Sequence, residues 1–234
     1  MLPAENCLRV IRPLQRNRNK AIGRQKGYSD RETQRTPQTE GARTAESQAE
    51  ARKGNGKGLV PASHAPIDQC KIPTRLFELG IGNVVISRRH PSGQISLAIF
   101  LLDVYCLGVK DVFHRLVDPS QYANIMAGLA RDSPLEDIDL TCARKLIEGA
   151  VEYARQFQLT PHPDYKTART ILGEVDAAAC PRDFEYGRDG KPFYVAGPND
   201  SPATSRRILS LLEQQCGPDG FHYMIPTDLS PEGV

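Results

Sequence analysis

The residues with the most chemical potential sit in one run: Asp103-Val104-Tyr105-Cys106-Leu107-Gly108-Val109-Lys110-Asp111, with His114 three residues further on. Carboxylates and an imidazole are the ligands that a hard or borderline divalent ion takes. An ammonium nearby steadies the negative charge that develops on a phosphoryl group. Val109, Val112, Phe113 and Leu116 recur at i, i+3, i+4 and i+7, which predicts a short helix. On that helix Asp111 and His114 share a face. With Asp103 they could hold a divalent metal, Lys110 could face the phosphoryl group, and the ensemble would be a metal-dependent hydrolase of phosphodiester or related bonds. The same residues have a plainer use, with Asp103 capping the link, Lys110 pairing locally and the helix face solvated. The spacing matches no specific nuclease signature.

Three other groupings call for the same double reading. His162 and Asp164, in His162-Pro163-Asp164, could act as base and orienter or as two metal ligands; equally, the prolines stiffen a loop and Asp164 caps the next helix. Cys106 and His114 could form a thiolate and its base, but Tyr105 and Leu107 beside the thiol point to a core position. Arg88, Arg89 and His90 crown a turn, where they could contact nucleic-acid phosphate or simply be solvated. Tyr186, Phe193, Tyr194 and Tyr223 could make an aromatic platform for bases, although alternation along short strands assigns at least half of them to packing. No cofactor is evident. Gly80-Ile81-Gly82 precedes a strand instead of following one, and Lys57 is followed by Gly58 where a phosphate loop needs Ser or Thr.

These residues must be positioned by the elements around them. Asn83 to Ser87 and Gln94 to Leu102 read as a β-hairpin across Arg88-Arg89-His90-Pro91-Ser92-Gly93. The second strand is apolar on both faces, as a central, covered strand would be. Asp118-Pro119 starts a helix lined by Tyr122, Ile125, Met126 and Leu129. The longest helix runs from about Asp139 to Phe157; its wet face carries Arg144, Lys145, Glu148, Glu152 and Arg155 at pairing distance. Asp164 caps a short helix through Leu172, closed by Gly173. Phe184 to Tyr186 and Pro192 to Ala196 flank the hairpin signal Asp189-Gly190. Ser201-Pro202 opens a last helix, and Phe221 to Ile225 reads as an edge strand. Strands and helices do not alternate regularly, so the expected class is α+β: a small, mainly antiparallel sheet with packed helices.

Composition divides the chain. Its 234 residues carry a net charge of +2, but up to Lys71 there are 14 Lys+Arg against 7 Asp+Glu, and from Ile72 onward 16 against 21. No large apolar side chain occurs between Ser29 and Gly58, and such a stretch cannot bury enough surface to order itself. The expected organisation is a disordered basic arm over 1–66, one domain over 67–225 and a loose tail over 226–234. Seven Lys/Arg and no acid lie between Asn6 and Ser29, enough for weak, sequence-independent contact with nucleic acid; the alternative is a solvated or surplus tail. The longest apolar run, Ile95 to Leu102, is far short of a membrane span, which excludes a membrane-spanning chain. The six cysteines form no CxxC pair and two, Cys7 and Cys70, fall in the basic part up to Lys71, so reduced thiols in a cytoplasmic setting are expected.

The segments Phe100 to Asp111, Pro161-His162-Pro163-Asp164-Tyr165 and Asp189-Gly190-Lys191-Pro192-Phe193-Tyr194 resemble a family of uncharacterised bacterial proteins, over about Gly82 to Gly197. The resemblance implies a bacterial cytosolic setting and brings no activity, cofactor or catalytic residue with it. The leading expectation is a non-catalytic module that docks a macromolecular partner, with the metal-dependent hydrolase as the alternative.

Overall fold

The computed structural model describes residues 64–225; most of the expected arm and the expected 226–234 tail lie outside them. Five strands form one antiparallel sheet in the order β4-β3-β2-β1-β5: β1 (Ile67–Pro73), β2 (Ile81–Arg89), β3 (Ile95–Asp103), β4 (Gly108–Val117) and β5 (Leu135–Asp137). A short helix α1 (Leu76–Leu79) joins β1 to β2. The β2–β3 hairpin is the one expected, extended at both ends and paired from Ile81–Asp103 to Arg89–Ile95.

Both faces of β3 are covered, which accounts for its unbroken apolar run. On one face, Val84, Ile86, Ala98, Phe100 and Leu102 pack against helix α3 (Leu140–Arg155), the short α4 (Tyr165–Ala168) and the 3-10 turn Arg169–Leu172. On the other, Val85, Ile95, Leu97 and Ile99 meet Tyr122, Ile125, Met126 and Leu129 of helix α2 (Pro119–Asp132). A third cluster joins Cys106, Ala154 and Tyr194 to Ile208 and Leu212 of helix α5 (Pro202–Cys216). The architecture is therefore α+β, with helices on both sides of a small antiparallel sheet.

Helix starts follow local chemistry. Asp118 accepts from the Ser120 and Gln121 amides, with Gln121 reaching back to complete a capping box, and Ser201 Oγ accepts from Thr204 N. The expected helix over 109–116 is instead β4. Its apolar spacing fits a strand buried on both sides equally well: Val112 packs into the α3 face, while its neighbour Phe113 packs toward α2. Gly108, at φ 67°, reverses the chain, and β4 then satisfies the open edge of β3.

Two further expectations are corrected. Phe184 to Tyr186 is not a strand; β6 (Phe193–Val195) pairs in parallel with the distant β7 (His222–Met224) instead. The Asp189-Gly190 turn nevertheless forms, both residues having positive φ, and closes a single Arg188–Lys191 bridge. The cysteines are not all reduced: Cys142 on α3 and Cys180 form a disulfide across 38 residues. No spacing motif announces it, because the bond depends on the 174–183 segment folding back over α3. Among the described residues no helix is long and apolar enough to cross a membrane.

Candidate functional site

Asp103, Lys110, Asp111 and His114 are not brought together. On a strand, residues three apart point to opposite faces, so Asp111 and His114 lose the shared face that a helix would have given them. Asp103 is buried at the β3–β4 turn, where its Oδ1 accepts from Tyr105 N at 2.9 Å and Cys106 N at 2.8 Å. Burial raises its pKa to about 6, against the opposing pull of those amides and of the Lys110 charge. Lys110 Nζ lies 2.8 Å from Asp200 Oδ2. The same oxygen accepts from Gly197 N at 2.8 Å and Tyr194 Oη at 3.2 Å, and Tyr194 Oη also meets Ser205 Oγ at 2.9 Å. Burial works against ionisation of Asp200, but the Lys110 ammonium and the Gly197 amide outweigh it and hold the carboxyl below its usual range. This cluster fastens β4 to the 197–201 turn and α5. Cys106 beside it is wholly buried, and burial drives its thiol pKa upward, so it is a core thiol.

Asp111 meets the second candidate group instead. His162 Nε2 is 3.6 Å from Asp111 Oδ1, and His162 Nδ1 is 3.9 Å from Asp164 Oδ2. Asp164 N donates to Nδ1 at 3.2 Å, which leaves the ring proton on Nε2, facing Asp111. The two carboxylates flank opposite nitrogens of one ring, so they do not converge on a common ligand position. Among the described residues no three His, Cys, Asp or Glu side chains are placed to share a metal ion.

The turn arginines are already engaged. Arg88 is buried and donates to the carbonyls of Ile171 at 2.6 Å, Ala65 at 2.6 Å and Leu172 at 3.2 Å, stapling the start of the described chain and β2 to the 3-10 turn. This corrects its reading as a phosphate contact. Arg89 is exposed but forms a two-pronged pair with Asp68, at 2.8 and 3.1 Å.

Two surface features have capacity left over. The first is a cleft of about 470 Å3 between α3 and the α4–3-10 segment. Arg144, Lys145, Arg155 and Arg169 line it together with the carboxylates Glu148 and Glu152. Arg144 and Arg169 both donate to one oxygen, Glu148 Oε1, at 3.1 Å each; Arg144 also holds the carbonyls of Gly173 and Val175. Arg155 has only a long, exposed contact with Glu152, 3.4 Å. Tyr165 stands in this wall with its ring packed edge-on against Phe100. In the sequence Arg144, Lys145 and Arg155 look like part of one solvated helix face; only the fold-back of 165–180 walls them into a cleft and adds Arg169.

The second feature is a strip of rings. Phe77 stacks on Phe184 at 5.8 Å, and Tyr105 donates its hydroxyl to the Phe77 and Glu78 carbonyls. Tyr105 then meets Phe193 at 6.1 Å, and Phe193 meets His222 at 6.4 Å. Guanidinium groups lie over two of these rings, Arg182 on Phe184 at 5.4 Å and Arg188 on Phe193 at 5.3 Å. Tyr223 and Met224 on β7 are exposed to 52% and 61%; Tyr223 alternates with His222 and its ring meets Phe221 at 6.0 Å instead. Of the four aromatics expected as a platform, Tyr194 and Tyr186 belong to the interior. The Tyr186 hydroxyl reaches the Leu146 carbonyl at 3.1 Å over Gly149, where any Cβ would collide with it. Phe193 and Tyr223 remain at the surface.

Compared with protein-family models, curated proteins and solved structures, the chain matches none of them.

Proposed function

We propose that this protein is a non-catalytic interaction module that makes weak contact with single-stranded nucleic acid. The observation that carries the reading is the strip of Phe77, Phe184, Tyr105, Phe193 and His222, half-buried to exposed rings, two of which carry a guanidinium group. Unpaired bases stack on such rings without regard to sequence, and guanidinium groups add charge and planar stacking. The arm supports the same reading, since the seven Lys/Arg between Asn6 and Ser29, with no acid among them, can neutralise phosphates. The groups that hydrolysis would have drawn on are engaged elsewhere, Asp103 in a turn and Lys110 with Asp200. The setting we propose is cytosolic, as the bacterial resemblance implies. Counting free thiols in protein quenched with acid at lysis checks this: the Cys142–Cys180 bond found open in cells fits, and a bond closed in every molecule places the protein in an oxidising compartment.

Fluorescence anisotropy of labelled single-stranded RNA and duplex DNA tests the reading. The full chain is titrated at two salt concentrations, with and without a divalent ion, and the probes are then run on a gel. Binding of the single strand that weakens steeply with salt, with intact probes, is expected. Metal-dependent cleavage would replace the module with the hydrolase. Absence of binding at low salt would remove nucleic acid as the partner.

A further inference from the structure

The cleft between α3 and the α4–3-10 segment runs against the charge of the body that contains it. From Ile72 onward the chain has 16 Lys+Arg against 21 Asp+Glu, yet the cleft wall has four cations and two carboxylates. An acidic surface with one cationic depression directs a polyanion to that depression. Two of the cations keep most of their donors free. A guanidinium has five N–H groups; among the described residues Arg169 makes one hydrogen bond and Arg155 one long one, and their side chains are 46% and 57% exposed.

Tyr165 supplies an independent sign. The residue is 5% exposed, its ring fixed by Phe100. Its hydroxyl nevertheless has no hydrogen-bond partner among the described residues, and it is not sealed from solvent. Arg169 lies over the same ring at 6.0 Å. Tyr165 lines the cleft with its ring held in place and its hydroxyl open to solvent, so the hydroxyl is free to donate to an anionic oxygen bound there.

The cleft also continues into the aromatic strip. Lys145, at its edge, donates to the Arg182 carbonyl at 2.7 Å and to Asp183 at 2.9 Å, and Arg182 is the cation stacked on Phe184. Phosphates in the cleft and bases on the strip are therefore served by adjoining residues.

We infer that Arg155, Arg169 and the Tyr165 hydroxyl form a phosphate-backbone site for single-stranded RNA. The inference rests on the module reading above and names where the body itself holds the strand. Glu148, accepting from both Arg144 and Arg169, occupies the place of the anion when the cleft is empty of RNA and keeps the arginines aligned.

The test titrates a fluorescein-labelled twelve-nucleotide oligo(U) with the full chain at five salt concentrations. Wild type is compared with Arg155→Glu/Arg169→Glu, the milder Arg155→Gln/Arg169→Gln, Tyr165→Phe, and a strip variant, Phe193→Ser/Tyr223→Ser. Urea unfolding of each variant confirms that it is folded. The glutamine pair is expected to weaken binding at least tenfold and to flatten the log–log salt slope by about 1.4, the value for two lost phosphate contacts on a single strand. The glutamate pair should weaken it further, and Tyr165→Phe should cost a few-fold in affinity with the slope unchanged. Affinity and slope equal to wild type in both arginine pairs, with binding lost in the strip variant, would overturn the cleft site and leave the module reading intact. If wild type itself fails to bind oligo(U) at the lowest salt, the module reading falls, and the cleft site with it. Competition by pyrophosphate at concentrations equal to those of oligo(U) phosphate would identify a free-phosphate site and overturn the RNA assignment.

Discussion

Two polar regions of this protein use similar residues to opposite ends. Beside the β3–β4 turn, Lys110, Asp200, Tyr194 and Ser205 are hydrogen-bonded in series inside the fold, and Asp103 accepts from two backbone amides of the turn itself. In the α3–α4 cleft, Arg155, Arg169 and the Tyr165 hydroxyl retain theirs. The first set looks more catalytic as a list of residue types. Its members, however, are buried or nearly so and tied to one another or to the backbone, and its geometry is that of a fastener. Residue type therefore says less about function than unspent donors and acceptors do.

The sharpest way to break this contrast is to remove one half of the fastener. Lys110→Met strands the Asp200 carboxylate, whose side chain is only 12% exposed, and should cost about 3–5 kcal/mol by urea denaturation. Adding Asp200→Leu should recover most of the loss, because the uncompensated charge is then gone. A loss below 1 kcal/mol would mean that the cluster is not a fastener and has capacity for another role.

Next in size is the disulfide, which ties down the 174–183 segment and with it Ala177 in the cleft wall. Replacing Cys142 and Cys180 by Ala should lower stability by about 2–4 kcal/mol, since 38 residues separate the pair and the unfolded chain regains their freedom. Oligo(U) affinity should fall with it, while the proton linkage at Asp103 should not change.

That linkage has a defined sign. The pKa of Asp103 is raised from 3.8 to about 6, so between those values the native state holds a proton that the unfolded chain has released. The Asp103 contribution is full below about pH 4 and is lost as pH rises through 6, up to about 3 kcal/mol in all. Asp103→Asn keeps an oxygen for the Tyr105 and Cys106 amides and should flatten this part of the stability–pH curve; equal slopes in variant and wild type would refute the assignment. The smallest expected effect is that of Tyr194→Phe, which leaves Ser205 Oγ and Asp200 each short of one partner. It should cost about 1–2 kcal/mol and leave RNA binding unaltered.

What the sequence determined by itself was local. Asp118-Pro119 and Ser201-Pro202 start helices because caps act within four residues, and Gly173 and Gly217 end theirs by positive φ. The β2–β3 hairpin was legible because its turn and apolar strands are contiguous. That at least half of the aromatic platform is used in packing was also legible, although which half was not: Tyr186 and Tyr194 are the two packed inside. Tertiary structure decided everything that depended on a distant partner. Val112 and Phe113 fit a helix or a doubly covered strand alike, and only the open edge of β3, with α2 and α3 on either side, selected the strand. The β6–β7 pairing, the bond from Cys142 to Cys180 and the burial of Arg88 join residues that lie between 23 and 84 positions apart in the chain. So does the cleft: Arg144, Lys145 and Arg155 lie on one helix in the sequence, and they line a depression because the chain returns from 165 to 180 and brings Arg169 beside them. Caps, turns and periodicity are set by neighbours in the chain; enclosure is set by whatever the rest of the chain packs against it.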